Sequence, residues 1–374
     1  LAIDEKSTGQ NSPDVAGDLN NLAQLYSSQG KYQQAEPMLQ RSIAIAEQTL
    51  GKNHPDLAVS LNNLASLYKS QGKYQQAEAL YQRSLAIVEQ AFSPNHPDVA
   101  TNLSGLGKLY QEQGKYEQAE PLYRRSFTIR EKVLGKNNPK FAESLTELAL
   151  LYHAQGKHQQ AQALLEACLE LREKIFGKQN PSVAESLSNL AIIYLAQQKS
   201  AAAEPLLLRS LAIDEQVLGA EHSNVANDLN SLAVFYQTQG NYAKAQPLAE
   251  RSLAIREKVL GQNHPDVAIS LNNLAALSVL QGKFAQAETF YQRSLAIWEQ
   301  TLGENHPYVA TSLNNLAIAY AAQEKFSSAA PLLERSLRLS NQVLERWLWA
   351  AGEKTRQSYL QQHEFMKNVY LSFY

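Results

Sequence analysis

The chain has one cysteine in 374 residues, Cys168, so no intrachain disulfide can form. That usage fits a reducing compartment and points to the cytoplasm. No apolar run approaches the roughly 18 residues that a membrane span needs, and no stretch has the build of a secretory leader. Charge of one sign is lacking too: 34 Lys and Arg stand against 36 Asp and Glu, formally −2, with no basic run. That balance argues against a nucleic-acid surface and against a polybasic membrane patch. There is no glycine-rich phosphate loop after a strand, no HExxH, no CxxC and no nucleophile elbow. A non-catalytic chain without cofactor or metal is therefore expected.

What is present is one pattern, repeated. In Leu61–Ile87, Leu61, Leu64, Ala65 and Tyr68 fall at i, i+3, i+4 and i+7, the apolar stripe of an amphipathic helix. After Gly72 the stripe restarts at Tyr74, Ala77, Tyr81, Ser84, Leu85 and Val88, so the unit is two helices joined by a tight turn. The same unit recurs every 42 residues without insertion over 9–50, 51–92, 93–134, 135–176, 177–218, 219–260, 261–302 and 303–344. Residues 1–8 match the end of a second helix, which predicts a truncated preceding unit and an upstream segment. Residues 345–374 break the period and are expected to form capping or extension helices.

Columns of equivalent residues carry the remaining information. The turn column holds glycine except at Gln198 and Glu324, which predicts strained turns in units five and eight. Proline opens seven first helices, Asn-His precedes four of these, and Glu221-His222 precedes the remaining first helix at Ser223. The histidines belong to different units and cannot converge on one ion, so entry-loop and N-cap roles are expected. His153 and His158 straddle one turn without the spacing of a helical metal pair. Cys168 stands where the other units have Ser, which reads as a small packed residue; a reactive thiol would need a basic partner, and none is obvious. Glu143, Glu147 and Glu185 could form a local acidic patch, but a solvated face is the expected role. The tyrosines from Tyr26 to Tyr320 read as core, and the arginines from Arg41 to Arg335 as solvated or inter-repeat ion pairs.

Leu61, Leu64, Ala65, Tyr68, Ala77, Tyr81 and Ser84 reproduce the spacing of the tetratricopeptide repeat signature. Leu replaces its common Trp, Ala its Gly, and Ser its Ala. The 42-residue period and the LNNLA…GKY…AE…Y…RSLAI wording resemble the kinesin light chain type of repeat. The resemblance implies an all-α fold, a TPR α-solenoid: a right-handed superhelix of helical hairpins whose concave face is lined by the first helix of each unit. The segment LERWLWAAGEKTRQSYLQQ further resembles the stretch just after the repeats in bacterial proteins carrying a caspase-like CHAT protease module.

Two columns expected to face that groove are rich in asparagine. They contribute Asn20, Asn62, Asn230, Asn272 and Asn314, and Asn21, Asn63, Asn189, Asn273 and Asn315. Asn in mid-helix costs roughly 0.5–0.7 kcal/mol against Ala. Two returns are open: hydrogen bonds between adjacent units, or amides that hold the backbone of an extended peptide. One turn further on, units one to four are polar (Gln24, Ser66, Lys69, Lys108), whereas units five to eight are apolar, with Ile192, Leu195, Val234, Val279, Leu280 and Ile318. That change reads either as a partner site or as residues buried against the next unit. The expected function is a non-catalytic scaffold that binds a protein or peptide in the groove. The alternatives are a regulatory arm of a larger CHAT-type protease, with an intramolecular C-terminal domain as partner, and a self-assembling scaffold.

Overall fold

The computed structural model describes residues 9–348, with side chains to residue 341. The truncated unit expected at 1–8 and the terminal helices expected over 345–374 lie outside the described residues, except that the last helix continues to Leu348. Sixteen helices are described, paired as eight antiparallel hairpins. They are α1 Pro13–Ser28, α2 Tyr32–Leu50, α3 Pro55–Ser70, α4 Tyr74–Ala91, α5 Pro97–Glu112, α6 Tyr116–Leu134, α7 Pro139–Ala154 and α8 His158–Phe176. They continue as α9 Pro181–Ala196, α10 Ser200–Leu218, α11 Ser223–Thr238, α12 Tyr242–Leu260, α13 Pro265–Leu280, α14 Phe284–Leu302, α15 Pro307–Ala321 and α16 Phe326–Leu348. The chain forms two compact units, one of six hairpins ending at His264 and one of two hairpins beginning at Pro265.

Each first helix starts where the sequence predicts. Proline sits in the first turn, where its missing N–H would have no partner. The preceding side chain caps the helix: Nδ1 of His54, His96, His222 and His306 accepts from the backbone N–H two residues on, at 3.1–3.3 Å. Asn138 and Asn180 make the same bond through Oδ1 at 2.9 Å. These four histidines are thus helix caps.

Within a hairpin, the two helices are pinned by one repeated bond. The Ser42 hydroxyl donates to the Ala16 carbonyl at 2.8 Å, and Ser84, Ser126, Ser210, Ser252, Ser294 and Ser336 each donate to the carbonyl 26 residues earlier at 2.7–2.9 Å. Cys168 takes the same place, its Sγ 3.4 Å from the Ala142 oxygen, and it is fully buried. Around this point Leu57, Leu61 and Val99 of the first helices pack against Ile87, Val88 and Ile129 of the second.

Between hairpins, the tyrosine column is core with a polar tip. The hydroxyls of Tyr110, Tyr194 and Tyr236 reach Glu78, Glu166 and Glu204 of the preceding second helix at 2.6–3.1 Å. Burial and the adjacent carboxylate push the Tyr110 phenol up to about 12. The arginine column forms inter-repeat ion pairs, such as Arg83 with Glu47, Arg209 with Glu173 and Arg251 with Glu215, at 2.6–2.7 Å. In the larger unit α1 also touches α3, α3 touches α5 and α5 touches α7 directly, which places these first helices on the inner side of the curve. There His264 Nε2 lies 3.2 Å from the Ser28 carbonyl oxygen, so this unit curls back on itself.

The turn glycines adopt φ of 67–76° at Gly30, Gly72, Gly114, Gly156, Gly240 and Gly282, and Gln198 and Glu324 are forced into the same region at 61° and 59°. A side chain there costs roughly 1–2 kcal/mol, partly offset by the freedom glycine would add to the unfolded chain. Gln198→Gly and Glu324→Gly are each expected to stabilise the chain by about 0.5–1 kcal/mol, read as a higher midpoint in urea with an unchanged slope.

Candidate functional site

The outward stripe of each first helix runs through positions equivalent to Val59, Asn63 and Ser66, and the asparagine columns border it. The structure links several of those asparagines to one another. Asn63 Nδ2 donates to Asn20 Oδ1 at 2.8 Å and Asn315 Nδ2 donates to Asn272 Oδ1 at 3.1 Å, each joining a first helix to the next. Asn20 is buried. Asn62, Asn189, Asn230, Asn273 and Asn314 are half-buried, and Asn21 is exposed.

The same interval in hairpins three and four is filled differently. Ser104 donates to Glu147 Oε2 at 2.7 Å, Arg130 Nη1 lies 3.1 Å from the same oxygen, and Lys108 Nζ lies 3.1 Å from Oε1. Glu147 is therefore buried and neutralised, not part of a solvated acidic face. A carboxylate taken from water is stable only with such partners, and here the preceding hairpin brings three donors to it. Glu185 pairs with Arg172 at 2.9 Å and Glu143 with Lys140 at 3.1 Å, so the three glutamates do not act together.

The apolar column stays in water. Ile192 on α9 is 40% exposed and Val234, its equivalent on α11, is 37% exposed; Leu195 beside them is half-buried. In the smaller unit Ile318 is 51% exposed, Leu280 is exposed as well, and Val279 is half-buried against the core around Tyr291. In hairpins one to three the column holds Gln24, Ser66 and Lys108, all exposed.

One turn toward the N-terminal ends of α9 and α11 lies a feature that extends outside the asparagine and apolar columns. A polar cleft of about 410 Å³ opens between hairpins five and six, lined by Ser182, Glu185, Ser188 and Asn189 of α9, Asp214 of α10, and Asn224, Asn227, Asp228 and Ser231 of α11. Asp228 is 6% exposed; its Oδ1 accepts from Ser188 at 2.9 Å and Ser210 at 2.8 Å, while its buried Oδ2 has no partner. Asp214 is 3% exposed, and its Oδ1 likewise has none. Burial raises the Asp228 carboxyl to about 6; the two serine hydrogen bonds oppose this, and the charges of Asp214 and Glu215 add to it. Burial also raises Asp214, against the pull of Asn224 and His222. The sequence signal was available in the column Ala46, Val88, Arg130, Arg172, Asp214, Arg256, Trp298, where a charge reverses sign once.

His153 and His158 do meet, Nδ1 to Nδ1 at 3.2 Å, and burial with the neighbouring ring lowers His153. Among the described residues no group of three or more His, Cys, Asp or Glu is arranged to hold a metal ion, and no helix is long and apolar enough to cross a membrane.

The raised Asp228 carboxyl sets a pH dependence. Folded Asp228 holds its proton more tightly than it does in the unfolded chain, so its ionisation costs folding free energy: this contribution is complete below about pH 3.8 and is lost as pH rises through about 6. Asp228→Asn is thus expected to stabilise the chain at pH 8 by about 1–3 kcal/mol, with the gain shrinking to nothing by about pH 3.5 in thermal melts across that range.

Against known proteins, models of the tetratricopeptide repeat match residues 14–90, 60–132, 140–216, 224–297 and 266–342, and a second tetratricopeptide model matches 104–174. Among solved structures, BtubC (BKLC) from P. vanneervenii is 26% identical with a TM-score of 0.51, covering 62% of this chain and 92% of its own. A putative kinesin light chain with nearly identical TPR-like repeats from Podosopora anserina is 31% identical with a TM-score of 0.45, covering 55% of this chain and 97% of its own. A Rap protein, solved in complex with Competence and Sporulation Factor, shares the fold at 14% identity and a TM-score of 0.56, covering 89% of this chain and 99% of its own. No curated protein matches the chain. The fold generally serves as a non-catalytic platform for protein or peptide partners, and repeats of one kind run from residue 14 to residue 342. The chain belongs to the tetratricopeptide repeat family.

Proposed function

We propose that the chain is a protein-interaction scaffold that takes a peptide against the first helices, and that hairpins five and six form the part of that face where affinity is concentrated. The observation carrying this reading is the pair Ile192 and Val234, apolar side chains in equivalent places on neighbouring first helices, both left in water. Exposed apolar side chains repeated along a groove favour the burial of a partner's own apolar residues. Asn189 stands one turn before Ile192 and is half-buried, so its amide can meet the peptide backbone. Asn20, Asn63, Asn272 and Asn315 are engaged with each other, so they set the spacing of the helices that form the face. In the smaller unit Ile318 and Leu280 offer a comparable apolar stretch.

The test is a displayed library of random peptides selected on the intact chain. Ile192→Asp and Val234→Asp, being exposed, are expected to change stability by less than about 0.5 kcal/mol and to weaken the selected peptides by at least about tenfold, or about 1.4 kcal/mol. Gln24→Asp and Ser66→Asp, in the polar half, are expected to leave binding unchanged. Peptides that bind Ile192→Asp and Val234→Asp as well as the parent would overturn the reading.

A further inference from the structure

We infer that the cleft between hairpins five and six is a receptor for a guanidinium group, supplied by an arginine side chain of the bound partner. The inference rests on the peptide-binding reading above and names one side chain of that peptide.

The argument comes from the neighbouring interface, one 42-residue step earlier. There Arg172 of α8 is buried and its Nη1 donates to the Ser182 carbonyl at 2.8 Å, to Glu185 Oε2 at 2.9 Å and to Ser186 Oγ at 2.9 Å. The equivalent residues one step on are Asp214 for Arg172, and Asn224, Asn227 and Asp228 for Ser182, Glu185 and Ser186. All four line the cleft. The interface that carries its own guanidinium in hairpin four therefore has a carboxylate in hairpin five, and the acceptors around it remain.

Two carboxylate oxygens of the cleft are unsatisfied. Asp214 Oδ1 and Asp228 Oδ2 are buried in the wall of the cleft without a hydrogen-bond partner. The charged neighbours of Asp228 are further carboxylates, Asp214 and Glu215. The arginines nearest in sequence register bond to the cleft's rim, Arg172 to Glu185 and Arg256 to Asn227 Oδ1 at 2.7 Å, and neither supplies a donor to Asp214 Oδ1 or Asp228 Oδ2. Two buried carboxylates that repel each other are relieved by a cation brought between them. A cleft of about 410 Å³ has room for a side-chain head group and not merely a bare ion. A guanidinium suits it better than an ammonium because it is weakly hydrated, planar and carries five donors for acceptors arranged around it. Ile192 and Val234 lie one turn along the same two helices, so apolar residues beside the arginine would be covered as well.

The test uses the intact chain and N-acetyl-arginine amide as probe, titrated by NMR and calorimetry. Saturable binding is expected, with N-acetyl-citrulline amide, the neutral isostere, at least about tenfold weaker. Asp214→Arg rebuilds the arrangement of hairpin four from within, and is expected to abolish probe binding while the chain keeps its helical circular dichroism. Asp214→Asn serves as the second variant should Asp214→Arg fail to fold, and is expected to weaken the probe by at least about fivefold. Equal binding of citrulline amide, undiminished binding to a folded Asp214 variant, or calcium binding abolished by Asp214→Asn with no binding of arginine amide, would each overturn the inference. Its failure is separable from that of the scaffold reading, because the Ile192 and Val234 variants report on peptide binding without the probe.

Discussion

The hydroxyl bond from each second helix to a carbonyl of its own first helix is the constraint on which the array depends. It requires a small residue where two helices cross, because a longer side chain would separate the backbones before the oxygen could reach its acceptor. Serine supplies both the size and the donor, and each bond contributes about 1 kcal/mol net in a site closed to water. Repeated at Ser42, Ser84, Ser126, Ser210, Ser252, Ser294 and Ser336, it gives every hairpin the same crossing. Cys168 keeps the size and gives up most of the bond.

Once the crossing is the same in every hairpin, adjacent hairpins meet through the same set of positions, and variation at those positions becomes the means of giving one interface different chemistry from the next. Asn20 with Asn63 is a neutral solution, Glu147 with Arg130, Ser104 and Lys108 a charged and satisfied one, and Asp214 with Asp228 a charged and unsatisfied one. The last lowers stability where it sits, since each carboxylate is desolvated with one oxygen left without a donor.

The fold was legible because its signals are periodic. The stripes of Leu61, Leu64 and Tyr68, the turn at Gly72 and the proline at Pro55 each recur every 42 residues, and the helices start and stop there. The backbone strain at Gln198 and Glu324 was legible for the same reason, as a departure from a glycine column. The site was legible only in part. The column of Ile192 and Val234 left exposure and burial against the next unit both open, and the fate of Asn20 and Asn63 depended on a contact between units, which no single helix pattern encodes. Glu147 reads as a surface residue until Arg130 is brought to it from the preceding hairpin. Asp214 was not legible because its column faces the next unit, and the meaning of its sign rests on residues ten and fourteen positions further on, Asn224 and Asp228.

The repeating polar contacts each join a hairpin to its immediate neighbour, as the tyrosine, arginine and asparagine bonds show. A hairpin pair is consequently a transferable cassette. Gain or loss of a whole 42-residue block leaves both new junctions with compatible crossings, so the array can lengthen or shorten without refolding its remainder. Hairpins five and six could be duplicated in this way with their cleft intact. The recognition chemistry of such a chain is then inherited in units of two hairpins, and its reach along a partner is set by how many copies the gene holds.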